Sequence, residues 1–143
     1  MPENVTLLDR AKKDLKNSIV VLQNADDEMD YDVSGYLLQQ SVEKVLRFLL
    51  AMRGEEFPFT HDIEKLAEFA DKKGINIPDW IWENAITLTN YATNTRYGKQ
   101  LVVTKRRLEL LHPKVQELID SVELPKKSDG CLDKCFGFPQ NTG

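Results

Sequence analysis

Hydrophobic positions along this chain recur at three- and four-residue spacing, which is typical of amphipathic helices. The first series predicts a helix over residues 7–22, with Thr6 as its expected N-cap. An acidic loop is expected after this helix. The second predicted helix spans residues 34–53, and Gly54 is the residue that we expect to end it. Strand-like alternation of apolar and polar residues is almost absent. The pattern therefore predicts an all-α protein.

Three more helices follow in the same pattern. The third is predicted over residues 60–74, with acidic residues in its first turn and lysines in its last, which suits the helix dipole. The fourth covers residues 78–92 and the fifth covers residues 105–122. Pro113 is expected to kink or split the fifth helix, because proline lacks the amide hydrogen. Together these elements predict an up-and-down four- to five-helix bundle over residues 1–124.

The last part of the sequence has a different character. Residues 125–143 contain Gly, Pro, two Cys and two Phe in place of the helical periodicity, which predicts an irregular tail. Phe136 and Phe138 would form an aggregation-prone patch in water, so we expect them to dock in a groove of this bundle or of a second copy. Cys131 and Cys135 have neither the spacing of a redox pair nor enough partners for a metal site. We expect reduced thiols, no metal and no cofactor.

Composition and charge narrow the classes of function. The chain has 143 residues, of which 41% are hydrophobic and 29% are charged, and its formal net charge is −4. Bulk charge of this sign excludes non-specific nucleic-acid binding, so any such contact must use a local patch. The sequence has no apolar run of about 20 residues and no signal-peptide pattern. We therefore expect a soluble cytoplasmic domain that makes no membrane contact.

The second predicted helix carries a narrow polar stripe opposite its apolar half. At 100° per residue, the side chains at four positions fall within about 60° of arc. They are Tyr36, Gln40, Glu43 and Arg47. One interpretation is a solvated helix face. The other is a binding face, because a ring, an amide, a carboxylate and a guanidinium in a row can stack on a nucleobase and bind a phosphate.

This helix also resembles a helix of a known family. Residues 36–50 (YLLQQSVEKVLRFLL) are similar to the aromatic-x-x-Gln-Gln-Ala-x-Glu-Lys-x-Leu-Lys-Ala helix of HEPN domains (higher eukaryotes and prokaryotes nucleotide-binding). Residues 60–63 (THDI) resemble the family's His-Asp-Leu element, and residues 95–97 (TRY) resemble its Thr-Arg-Tyr-Pro element, with Gly98 in place of Pro. With the Asp-Leu pair at residues 14–15, the resemblance covers about residues 8–122.

The resemblance implies an antiparallel helical bundle, paired as a homodimer, with a nucleotide-binding role. It also implies a minimal nucleotidyltransferase as partner, in a pair of the toxin–antitoxin type. The transferase signature is Gly-Ser followed by Asp-x-Asp on a strand, whereas this chain has no Gly-Ser and places Asp30 and Asp32 in a predicted loop. The chain is therefore predicted to be the non-catalytic helical partner.

The resemblance adds three residues to the candidate nucleotide- or partner-binding set. Arg96 would bind two phosphate oxygens at once, Tyr97 would be its aromatic neighbour, and His61 would reach the same phosphate. Structural alternatives remain open for all three. His61 suits the first turn of a helix, and Arg96 and Tyr97 suit carbonyl capping and packing at a helix end.

A rival function is that of an enzyme. Some members of the HEPN superfamily are metal-independent ribonucleases in which four to six residues separate an Arg from a His. Here four residues separate Arg107 from His112, and five separate Arg106 from it. His112 would act as the general acid or base, and the arginine would stabilise the phosphate transition state. A third alternative is a structural dimer whose polar stripe binds nothing.

Overall fold

Five helices make up the part of the chain that the computed structural model describes, which is residues 2–97 and 103–127, with side chains for residues 6–92 and 103–123. The helices are α1 (Pro2–Gln23), α2 (Glu28–Met52), α3 (Ile63–Lys72), α4 (Asp79–Tyr97) and α5 (Lys105–Lys127). No strand occurs in these residues. The predicted all-α bundle is confirmed.

The central element of the bundle is α2, which packs against each of the other four helices. Around it, α1 contacts α5 and α3 contacts α4. The apolar half of α2 supplies completely buried side chains, among them Leu38, Val42 and Leu46. Because α2 is surrounded, its polar stripe must also lie close to other parts of the chain.

The start of α2 differs from the prediction. The helix begins at Glu28, because the carboxylate of Asp27 accepts hydrogen bonds from the amides of Met29 (3.0 Å) and Asp30 (3.3 Å). Aspartate is among the strongest N-cap residues, and acidic residues stabilise the first turn. Asp30 and Asp32 therefore lie in the helix, and the predicted loop at these positions is wrong.

One further local prediction is wrong, and one of the two outcomes expected at Pro113 is excluded. Thr6 does not cap α1, because that helix begins at Pro2, and proline is favoured at a first helical position. Pro113 does not split α5, which continues from Lys105 to Lys127. Leu111 and Val115 are buried on either side of Pro113. Their packing holds the helix together despite the backbone hydrogen bond that proline cannot make.

The predicted ends of α2 and α3 are confirmed. Gly54 and Gly74 follow the two helices with φ angles of 73° and 87°, a region that side chains with a Cβ disfavour. At its other end, α3 begins with Asp62 as N-cap, whose Oδ1 accepts the amide of Lys65 at 3.1 Å. The loop between α2 and α3 is thus bounded by Gly54 and Asp62.

Two predictions fall beyond these residues. The expected docking of residues 128–143, with Phe136 and Phe138, lies outside the part that the structure describes. The side chains of Arg96 and Tyr97 lie outside it too, although their backbones form the last turn of α4. Within the described residues, no helix is both long enough and apolar enough to cross a membrane.

Candidate functional site

The polar stripe of α2 faces the loop between α2 and α3. The side chain of Glu43 is only 6% exposed and that of Arg47 is 13% exposed, so the simple interpretation as a solvated face is wrong for these two residues. Tyr36 and Gln40 are half-buried. We use the term Glu43 cluster for Gln39, Glu43, Arg47 and His61.

The carboxylate of Glu43 is the centre of this cluster. Its Oε1 accepts a hydrogen bond from Nε2 of Gln39 at 3.0 Å. Its Oε2 accepts one from Nε of Arg47 at 3.1 Å and one from Nδ1 of His61 at 2.8 Å. A buried carboxylate is costly unless it is paired and hydrogen-bonded, and here both conditions are met.

The same cluster fastens the loop to α2. Nη2 of Arg47 donates to the carbonyl oxygen of Thr60, and Nε2 of Gln39 donates to that of His61 at 3.3 Å. The guanidinium carbon of Arg47 also lies 5.0 Å from the centre of the Phe57 ring, a cation–π distance. These contacts fix the backbone on which the ring of His61 is mounted.

His61 is the exposed member of the cluster. Its side chain is 76% exposed, although Nδ1 is held by a carboxylate that is 6% exposed. The other ring nitrogen, Nε2, has no hydrogen-bond partner among the described residues. Two residues earlier, the side chain of Phe59 is fully exposed. The loop therefore exposes an oriented imidazole and an aromatic ring that are two residues apart in sequence.

Gln40 links the cluster to α1. Its Nε2 donates to Oε1 of Gln39 at 2.7 Å, and its Oε1 accepts from Nζ of Lys44 at 3.2 Å. Lys44 in turn pairs with Asp14 of α1 at 2.7 Å, with about a fifth of each side chain exposed. The stripe residue Gln40 therefore belongs to a network that spans two helices.

The middle of α4 is tied to the start of α3, two residues after His61. Oγ1 of Thr89 accepts the amide of Ile63 at 2.9 Å, which ties α4 to the residue that begins α3. Position 96 follows Thr89 by seven residues, which is two turns or about 10.5 Å along the helix axis. At 100° per residue, position 96 lies within about 20° of Thr89 around the axis of α4.

The arginine and histidine of the rival ribonuclease motif contact different helices. Nη1 of Arg107 donates to Oδ1 of Asn84 on α4 at 2.9 Å. Nε2 of His112 lies 2.8 Å from Oγ of Ser18 on α1. Because α5 is continuous, the five-residue step turns their side chains about 140° apart, and the step from Arg106 turns about 120°. The helix therefore does not aim these side chains at one point.

His112 instead ties α5 to a buried pair of serines. Oγ of Ser18 donates to the carbonyl oxygen of Ser34 at 2.7 Å, so Nε2 of His112 is the donor to Oγ of Ser18. Ser34 completes the pair by donating to the carbonyl oxygen of Ser18 at 2.8 Å. Both serines are completely buried, and the three helices α1, α2 and α5 meet at this point.

Burial of His112 predicts a pH dependence of stability. Desolvation lowers the pKa of its imidazole below the ordinary value of 6.5, and Glu109 offsets part of that shift. At pH values between this lowered pKa and 6.5, His112 is therefore protonated in the unfolded chain and neutral in the folded chain. This contribution to stability is complete above pH 6.5 and is lost as the pH falls below it.

We therefore expect the stability advantage of the wild type over His112→Gln to narrow as the pH falls from 7.5 to 5.5. Glutamine keeps an N–H donor for Ser18 but does not titrate, and all other groups are shared by the two proteins. Urea unfolding at several pH values measures the difference. A difference that stays constant over this range would show that His112 takes up its proton equally in both states.

Sequence reasoning missed some members of the site. Gln39 lies only about 40° from Glu43 around α2 at 100° per residue, so the helical pattern carried a signal for it. Phe57 and Phe59 lie in a loop with no periodicity, and nothing in the pattern marks them. Within the described residues, no group of three or more His, Cys, Asp or Glu side chains is placed to hold a metal ion.

Comparison with protein families supplies one match. A family model of the HEPN domain matches residues 5–125. This range includes the Glu43 cluster, Phe59 and most of all five helices. No curated protein and no solved structure matches the chain.

Proposed function

The chain belongs to the HEPN domain family, and on this basis we propose that it is a non-catalytic helical module that binds a nucleotide at the surface around His61. The main support for this proposal is the way in which His61 is held. A buried carboxylate holds one ring nitrogen of His61 at 2.8 Å and leaves the ring 76% exposed. Because the hydrogen bond to Glu43 already orients the ring, binding a ligand at Nε2 would cost less conformational entropy.

The exposed groups at this surface suit the two ends of a nucleotide. The ring of Phe59 offers a flat apolar face, and stacking on an aromatic ring tolerates any base. Nδ1 of His61 lies 2.8 Å from the carboxylate of Glu43, so Nε2 is the ring atom that would contact a phosphate group of the ligand.

The geometry supports the rival ribonuclease function less well than it supports nucleotide binding. Arg107 is engaged with Asn84, and His112 is mostly buried and engaged with Ser18. A general acid or base must reach the proton that it transfers. The hydrogen bond to Ser18 uses one nitrogen of His112 for the packing of three helices, which favours a structural role.

Family membership also supports two assembly proposals. We propose that the chain forms a homodimer and that it pairs with a minimal nucleotidyltransferase in a toxin–antitoxin-type arrangement. Trp82 and Ile86 lie one turn apart on α4 and are both exposed, so α4 offers apolar side chains for such a contact. Sedimentation equilibrium of the purified chain tests the dimer, and the identity of the neighbouring gene tests the partner.

We expect His61→Ala and Phe59→Ala each to weaken ATP binding by roughly tenfold or more, which corresponds to the loss of about 1.4 kcal/mol. The expected cause is the loss of a phosphate contact in the first case and of base stacking in the second. We expect Arg96→Ala to weaken binding in the same way, because the family resemblance implies a phosphate contact for its guanidinium. Isothermal titration calorimetry with ATP measures the affinities.

The chain offers matched controls for these variants. His112→Gln replaces the other histidine, and Leu110→Ala removes another exposed apolar side chain, so both should bind ATP like the wild type. A wild-type protein that binds no nucleotide, alone or with its nucleotidyltransferase partner, would contradict the proposed function.

A further inference from the structure

A second surface of the bundle is an apolar groove that lies away from the Glu43 cluster. It has a volume of about 310 Å³ and lies between α2, the residues that follow α3, and the C-terminal half of α5. Apolar side chains form most of its walls: Phe48, Leu49, Met52, Ile75, Leu118 and Val122. Asn76 and Ser121 are its polar lining residues, and no charged side chain lines it among residues 6–92 and 103–123.

We propose that this groove receives the tail of the same chain, with the rings of Phe136 and Phe138 bound in it. The tail starts close to the groove, because α5 ends at Lys127, five residues or about 7.5 Å beyond the groove residue Val122. Nine further residues lead to Phe136, and nine extended residues span up to about 30 Å. The tail is therefore long enough to turn back onto the groove.

The sequence of the tail suits the shape of the groove. Phe136 and Phe138 are two residues apart, so in an extended segment both rings point to the same side. Gly137 lies between them and adds no side chain. The volume is at the lower end of the range of about 300–1,000 Å³ that is usual for small-molecule pockets. A space of this size accommodates a pair of aromatic side chains better than a large ligand.

The chemistry of the walls separates this groove from the larger cleft of the bundle. That cleft, of about 550 Å³, is lined by Lys105, Glu109 and His112 among others, and charged groups of this kind do not favour phenylalanine. In the apolar groove, Met52 is 55% exposed at the end of α2. A tethered segment reaches such a site at millimolar effective concentration, which favours the chain's own tail over an untethered occupant.

Disulfide trapping tests the proposal. In a chain with Cys131→Ser, Cys135 is the single tail thiol and lies next to Phe136. Two variants of this chain each carry one further thiol. Asn76→Cys places it at the groove, and Leu110→Cys, the control, places it on an exposed part of α5 outside the groove. A disulfide needs Cα atoms about 4.4–6.8 Å apart. We expect diamide to form an intrachain disulfide at least tenfold faster with Asn76→Cys than with Leu110→Cys.

Each other outcome overturns part or all of the proposal. Equal rates at the two positions would mean that the tail does not prefer the groove. A disulfide between two chains, seen as a dimer on a non-reducing gel, would make a second copy the occupant. Adding Phe136→Ser and Phe138→Ser should reduce the rate at position 76 to that at position 110, and an unchanged rate would show that the phenylalanines do not hold the tail. Circular dichroism of every variant verifies that the bundle is folded.

Discussion

Replacement of Glu43 with alanine is expected to lower the free energy of unfolding by about 3–5 kcal/mol, which is the usual cost of breaking a buried ion pair by removing one partner. The carboxylate is 6% exposed and accepts hydrogen bonds from Gln39, Arg47 and His61. Without it, a guanidinium that is 13% exposed loses its counter-charge. Urea unfolding followed by circular dichroism measures the change.

The control for this variant is Glu55→Ala at a surface ion pair. Glu55 and Lys73 are 3.4 Å apart, and their side chains are 34% and 38% exposed, so the loss should be at most about 1 kcal/mol. Glu43→Gln keeps the size and one acceptor oxygen, and it separates the effect of charge from that of hydrogen bonding. A loss for Glu43→Ala no larger than that for Glu55→Ala would contradict the role of Glu43 as the centre of the cluster.

Replacement of Tyr91 with alanine is expected to lower the free energy of unfolding by about 3–5 kcal/mol, the range observed when large aromatic side chains are removed from cores. Tyr91 is almost completely buried where α4 crosses α2. Its ring lies directly over Gly35, where a Cβ atom would be 3.2 Å from two ring carbons and 3.3 Å from a methyl group of Val103. Thermal unfolding of the variant measures the loss.

A second substitution tests whether this close approach is the cause. Gly35→Ala alone should destabilise the protein, because the buried ring has to shift by a few tenths of an ångström to make room. In the Tyr91→Ala protein the same change should cost less, since the added methyl group then points into the cavity. Strictly additive effects of the two changes would show that Gly35 and Tyr91 do not pack against each other.

Much of the fold could be predicted because helix formation and termination are local. The spacing of apolar residues identified all five helices, and Gly54 and Gly74 marked the ends of two of them. The start of α2 could not be predicted in this way, because an acidic run suits both the loop after one helix and the N-cap of the next. At Pro113 the local preference itself misleads. Proline disfavours the interior of a helix, but buried neighbours on both sides keep α5 continuous.

The candidate site could be predicted only in part. Periodicity placed Glu43 and Arg47 on one side of α2, but it carries no information on what faces that side. Their partners, Thr60 and His61, are 13 and 18 residues further along the chain. The pairing of Ser18 with His112 spans 94 residues, so only the packing of the helices reveals that this histidine is structural.

The two histidines of the chain allow the most direct test of the proposed nucleotide site. We predict that ATP moves the imidazole ¹H and ¹⁵N resonances of His61 in a saturable manner and leaves those of His112 unchanged. The reason is that His61 is exposed, two residues along the loop from the exposed Phe59, whereas His112 is buried against Ser18. Unmoved His61 resonances at high ATP concentration, or a movement of His112 instead, would contradict nucleotide binding at the Glu43 cluster.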